Sequence, residues 1–114
     1  MASGTRQQVQ GSCVVHEVDF LAENRDRVLI GEAKFHNQLG TKSDLKVALY
    51  VGARVEDVRK KMHASGDRRQ VEGWLVTNTK FTRAAVDYAN CVNLNLISWG
   101  KVIATRVTNW PLSG

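Results

Sequence analysis

Residues 28–31 form an apolar run, VLIG, that ends abruptly in a charged pair, Glu32 and Lys34. A continuous apolar run of this kind is typical of a strand covered on both faces, and its charged end indicates the edge of a sheet. Side chains alternate between the two faces of a strand, so Glu32 and Lys34 project from the same face. The run therefore predicts a sheet strand that presents an acid and an amine at its end.

The preceding segment supplies a second carboxylate. Residues 13–21 are predicted to form a first strand that contains Asp19, and residues 23–27 (ENRDR) form a charged turn. A hairpin of these two strands would bring Asp19 beside Glu32, although the two residues are 32 − 19 = 13 positions apart. Two carboxylates and the ammonium of Lys34 would then converge on one spot.

Two interpretations of this cluster remain open on spacing alone. Mg²⁺ commonly binds through one or two carboxylates together with substrate phosphate, and a nearby lysine can orient a water for attack on phosphorus. The alternative is a surface hairpin with a cross-strand ion pair, worth about 0–1 kcal/mol.

Composition limits the class of protein. The chain has 114 residues, 43% hydrophobic and 24% charged, which predicts one globular domain. It contains no apolar run near the ~20 residues needed to span a bilayer and no signal-peptide pattern, so we expect no membrane association and a cytoplasmic location. Cys13 and Cys91 lack metal-site spacing and are predicted to be reduced and buried. The net charge of +5 favours a polyanionic partner without identifying it.

The remaining chain predicts alternating strands and helices. Residues 1–10 are polar and are interpreted as a flexible lead or a remnant of an upstream element, and residues 11–114 as a single domain. Ser43 is predicted to cap a helix of about four turns, whose basic side, from Arg54 to Lys61, is interpreted as a solvated face. A strand over residues 73–78, a helix capped by Thr82 and a strand over residues 94–99 follow.

Residues 101–110 are interpreted as an edge strand or a tail. The predicted order is β–β–α–β–α–β. It describes an α/β fold with a central mixed sheet flanked by helices.

Two stretches in this order resemble the Mrr-type branch of the restriction-endonuclease-like, PD-(D/E)xK nucleases. The first joins HEVD at residues 16–19 with GEAKFHN at residues 31–37, and the second is LVTNTKFTRAAVDYA at residues 75–89. GTKSDLKV at residues 40–47 is similar to members fused to a nucleotide-binding ATP-cone domain. The resemblance covers roughly residues 11–99.

The resemblance implies a three-layer restriction-endonuclease-like fold and Mg²⁺-dependent hydrolysis of DNA, in restriction, defence or repair, with Mn²⁺ able to substitute. Asp19, Glu32 and the main-chain carbonyl of Ala33 would bind the metal, and Lys34 would position the attacking water or stabilise charge on the phosphate. Residues expected to contact DNA are His36, Lys42, Thr77 and Asn78. Solvated strand ends or helix caps are the alternative for His36, Thr77 and Asn78.

One departure from the family pattern keeps a second function open. Such nucleases usually begin with a helix, and no helical pattern precedes Gly11. The alternative is therefore a nucleic-acid-binding or assembly module that keeps the nuclease fold but does not cut. A homodimer is a further expectation, since cutting both strands requires two sites. An ATP-cone, fused or on a partner, would lie outside this chain.

Overall fold

The computed structural model describes residues 6–35, 44–92, 94–98 and 101–102. Its first half contains strands β1 (Gln7–Gln10), β2 (Val15–Val18), β3 (Phe20–Glu23) and β4 (Arg27–Lys34) and helix α1 (Leu45–Ala64). Its second half contains β5 (Gln70–Thr77), α2 (Arg83–Cys91), β6 (Leu94–Ser98) and β7 (Lys101–Val102). This order includes the predicted β–β–α–β–α–β series.

The main sheet is mixed and has the strand order β3-β4-β5-β6-β7. The β3–β4 and β6–β7 pairs are antiparallel, whereas β4, β5 and β6 run parallel. Parallel neighbours require crossover connections, which α1 and α2 supply. The predicted α/β class with a mixed sheet flanked by helices is therefore confirmed.

Both helices pack on the same face of this sheet. Val51 of α1 and Ala85 of α2 lie in one buried cluster with Leu75 and Leu96, which belong to β5 and β6. Val58, about two turns further along α1, joins a second cluster with apolar residues from the strands: Val18, Val28, Ile30 and Val71. The described part of the chain thus has two layers, and the three-layer arrangement remains a prediction.

The helix starts follow from side-chain caps. The Asp44 carboxylate accepts a hydrogen bond from the Val47 amide at 3.4 Å, and the Thr82 hydroxyl accepts one from the Ala85 amide at 3.2 Å. Thr82 is the predicted cap of α2. The cap of α1 is Asp44, and the predicted cap, Ser43, lies outside the described residues. At 20 residues, α1 has about 5.5 turns and is longer than the predicted four.

The N-terminal segment, interpreted from the sequence as a flexible lead or a remnant of an upstream element, is described from Arg6 onward. Residues 7–10 form β1 and pair antiparallel with β2, with Gln7 opposite Val18 and Gln10 opposite Val15. Val9 is partly buried against the second cluster, and this contact explains why an otherwise polar segment forms a strand.

Two burial predictions are wrong. Cys13 and Cys91 are free thiols as predicted, but both are exposed. Arg54, assigned to the solvated basic face, is buried on the inner side of α1. None of the described helices is long and apolar enough to cross a membrane.

Candidate active site

Asp19 lies at the junction of β2 and β3, where the chain turns toward the end of β4. Its amide donates to the Gly31 carbonyl at 3.1 Å, and its Oδ2 accepts from the Ala33 amide at 2.7 Å. These two bonds fix the carboxylate beside the charged end of β4. The predicted hairpin therefore does bring Asp19 next to the segment that carries Glu32.

Glu32 is held by a buried arginine. Both Glu32 and Arg54 are only 4% exposed, and Arg54 Nη1 lies 2.6 Å from Glu32 Oε1. Arg54 Nη2 also donates to the Tyr50 hydroxyl, and the guanidinium lies 4.5 Å from the centre of the Tyr50 ring. Because a buried carboxylate without a counter-charge is costly, Arg54 supplies the counter-charge for Glu32 at this position.

Arg6 joins the two carboxylates. Its Nε lies 3.5 Å from Asp19 Oδ1, and its Nη2 lies 3.2 and 3.3 Å from Glu32 Oε1 and Oε2. The same Nη2 donates to the main-chain carbonyl of Glu17 at 2.7 Å. One guanidinium can reach both carboxylates only if they face a common point. Arg6 therefore marks the position on which the two negative charges converge.

Lys34 and Ala33 complete the end of β4. Lys34 is exposed, and its position two residues after Glu32 places it on the same face of the strand. The amide and carbonyl of one strand residue point to the same side, so the Ala33 carbonyl is directed toward the side on which Asp19 binds the Ala33 amide. Two carboxylates, one carbonyl and one exposed ammonium thus meet at this edge.

The predicted DNA-contacting residues are only partly brought to this edge. Thr77 pairs with Lys34 across the β4–β5 register, and Asn78 follows it at the surface. Thr77 itself is 0% exposed, and its hydroxyl lies 3.1 Å from the Thr79 hydroxyl and accepts from the Thr79 amide. Its buried hydroxyl shapes the turn after β5, and its contact with DNA stays a prediction. His36 and Lys42 lie outside the described residues.

The donor set fits a hard cation with few protein ligands. The described part of the chain contains no group of three or more His, Cys, Asp or Glu side chains able to hold a metal ion. Mg²⁺ does not require such a group, because it retains several waters and uses one or two carboxylates plus substrate phosphate. Asp19, Glu32 and the Ala33 carbonyl meet this requirement, and the bridging guanidinium of Arg6 shows that their charge accommodates a cation.

A second polar cluster anchors the N-terminal hairpin to α1. Asp57 accepts hydrogen bonds from the amides of Cys13 and Val14, at 2.9 and 3.3 Å, and lies 2.8 Å from His16 Nε2. The hydrogen bond from His16, followed by those from the two amides, lowers the pKa of Asp57 from its ordinary value of 3.8 to about 2. Asp57 therefore holds β1 and β2 on the helix that also carries Arg54.

Sequence reasoning missed Arg6 and Arg54. Arg54 lies three residues after Val51 and four before Val58, so its spacing matches the buried stripe of α1, but a search for apolar residues passes over it. Arg6 has no local signal, because its partners are 13 and 26 residues away in the sequence.

The comparisons with known proteins define a shared fold without a named function. No family model matches the chain. An uncharacterized protein from Archaeoglobus fulgidus is 41% identical over 91 residues, which is 80% of this chain and 48% of that protein. A crystal structure of a protein of unknown function superposes with a TM-score of 0.70 at 38% identity, over 84% of this chain and 48% of that one. The chain thus spans about half the length of the relatives it matches.

Proposed function

We propose that this chain is a metal-dependent endodeoxyribonuclease that hydrolyses DNA phosphodiester bonds with Mg²⁺, for which Mn²⁺ can substitute. The observation that carries the proposal is the convergence of Asp19 and Glu32 on one point at the end of β4, with Lys34 on the same face as Glu32. The resemblance of residues 16–19, 31–37 and 75–89 to Mrr-type nucleases adds support from the sequence.

Each residue has a role that follows from its surroundings. Asp19, Glu32 and the Ala33 carbonyl hold the cation, which when bound polarises the phosphate as a Lewis acid. The exposed ammonium of Lys34 orients the attacking water and stabilises the charge that develops on the phosphate. Arg54 is a positioning residue, because it fixes the Glu32 carboxylate without facing the solvent.

DNA is the proposed polyanionic partner. The net charge of +5 favours binding to a polyanion, and exposed Asn78 follows the strand that pairs with Lys34. The proposal includes a homodimer, because one site cuts one strand. It also includes an ATP-cone on a partner or fused segment, and a cytoplasmic location.

Plasmid cleavage in Mg²⁺ tests this function. We expect Asp19→Asn, Glu32→Gln and Lys34→Met each to reduce the cleavage rate by at least about a hundredfold, the scale of a lost catalytic group. Asp87→Asn is the matched control, because Asp87 is an exposed carboxylate on α2 that pairs only with exposed Arg83 among the described residues. Equal rates in wild type and the three site variants, over supercoiled, linear and single-stranded DNA, would refute catalysis at this site.

A second function is favoured by the charge of the site. Arg6 and Arg54 already compensate Asp19 and Glu32, and Lys34 adds a further positive charge, so the cluster attracts phosphate even without a metal. This arrangement suits a nucleic-acid-binding or assembly module that does not cut. Such a module would bind DNA with a steep salt dependence, lose affinity in Lys34→Met but not in Asp19→Asn, and show no cleavage.

A further inference from the structure

The four carboxylate oxygens of Asp19 and Glu32 are not equivalent. Asp19 Oδ2 is occupied by the Ala33 amide, and Glu32 Oε1 is occupied by Arg54 Nη1. Both donors belong to the packed body of the domain, one in β4 and the other buried on α1. Asp19 Oδ1 and Glu32 Oε2 are bound by neither of these donors and are therefore the oxygens more open to a cation.

Arg6 contacts both of these oxygens, and its Nη2 also lies 3.2 Å from Glu32 Oε1. Arg6 Nε lies 3.5 Å from Asp19 Oδ1, and Arg6 Nη2 lies 3.3 Å from Glu32 Oε2. A Mg²⁺ ion binds oxygen at about 2.0–2.1 Å and brings several waters with it. An ion bound to both oxygens would occupy the space between them and Arg6, and its charge would repel the guanidinium.

We propose that Arg6 is a built-in counter-cation that occupies the metal position and must be displaced before a divalent ion binds. This inference rests on the proposed metal site and adds a regulatory contact to it. In the metal-free protein, Arg6 offsets the repulsion between Asp19 and Glu32, and it lowers the affinity for the ion by competing for the same oxygens.

The position of Arg6 allows this exchange without unfolding the sheet. Its side chain is 41% exposed, and it precedes β1, whose pairing with β2 begins at Gln7. Rotation of the side chain breaks two ion contacts and the hydrogen bond to the Glu17 carbonyl, while the backbone pairing of β1 is retained. Arg54 differs in this respect, because it is buried and remains on Glu32 Oε1 throughout.

Calorimetric titration with Mn²⁺ tests the competition directly, without a cleavage assay. We expect Arg6→Gln to bind Mn²⁺ about five- to tenfold more tightly than wild type, because the substitution removes the two partly exposed ion pairs that compete with the ion. Arg25→Gln removes the same charge from an exposed position in the β3–β4 turn and should bind like wild type. Arg6→Lys keeps the charge but not the planar guanidinium that bridges the two carboxylates, so its affinity for Mn²⁺ should lie between those of wild type and Arg6→Gln.

The outcomes separate this inference from the proposed function. If wild type, Arg6→Gln and Arg25→Gln bind Mn²⁺ equally, or if Arg6→Gln binds less tightly, competition by Arg6 is wrong while the metal site stands. If none of these proteins binds Mn²⁺ although circular dichroism shows them folded, the metal site itself is wrong, and the inference falls with it.

Discussion

Replacing Arg54 with methionine tests whether the site depends on a buried charge pair. The substitution keeps much of the side-chain volume but removes the guanidinium that lies 2.6 Å from Glu32, with both residues 4% exposed. Removing one partner of a buried ion pair costs roughly 3–5 kcal/mol, because the other charge is left buried. Arg6 still contacts Glu32, so we expect Arg54→Met to lower the free energy of unfolding by about 3 kcal/mol.

Urea unfolding followed by circular dichroism measures this change. With an m-value of about 1.5 kcal/mol/M, a loss of about 3 kcal/mol lowers the unfolding midpoint by about 2 M. Arg59→Met is the matched control, since Arg59 lies on the same helix and pairs with Glu56 at the surface. An exposed pair contributes about 0–1 kcal/mol, so the control should shift the midpoint by less than about 0.7 M.

The double variant Arg54→Met/Glu32→Leu sharpens the interpretation. Replacing both partners of a buried pair with apolar residues leaves no unpaired charge, and its cost is often small. We therefore expect the double variant to recover much of the stability lost in Arg54→Met. If Arg54→Met unfolds at the same midpoint as Arg59→Met, the buried pair does not hold Glu32, and the reasoning is refuted.

Three further changes test the surroundings of the site. Gly31→Ala should destabilise the sheet because a Cβ there would overlap the Phe20 ring, and adding Phe20→Ala in a double variant should reduce that cost. If the changes in the free energy of unfolding of the two single variants simply add in the double variant, the overlap is contradicted. Asp57→Asn should lower the melting temperature at pH 7. Since folding lowers the Asp57 pKa to about 2, the difference in melting temperature from wild type should shrink as pH falls from about 4 to about 2. A difference that does not change with pH would contradict the role of the Asp57 carboxylate in holding β1 and β2 on α1. Thr82→Ala should cost about 1 kcal/mol in urea unfolding through loss of the α2 cap, whereas Thr82→Ser should cost little.

Much of the fold could be predicted because its signals are local. The charged turn at residues 23–27 and the apolar run that follows it determine the β3–β4 hairpin. In that hairpin Phe20 lies opposite Gly31, and this register places Asp19 beside Ala33. The Thr82 cap likewise predicts the start of α2, and the strands predicted on either side of that helix correspond to β5 and β6, which pair in parallel.

The cationic half of the site could not be predicted because it depends on tertiary contacts. Arg6 reaches Asp19 and Glu32 only after β1 pairs with β2, and β1 itself has one apolar residue, Val9, to indicate a strand. The burial of Arg54 depends on Glu32 lying opposite it, a pairing that propensity does not encode, since charged residues are rarely buried unless they are paired. The apolar pattern thus predicted the carboxylates but not their partners.

Anomalous diffraction from crystals soaked in Mn²⁺ tests the central claim most directly. We predict a manganese peak at coordination distance from Asp19 and Glu32 in wild type, with the Arg6 guanidinium withdrawn from both carboxylates and Arg54 still on Glu32. Crystals of Asp19→Asn should lack the peak. A manganese peak elsewhere on the protein, or none between the two carboxylates while Arg6 remains in place, would contradict the account.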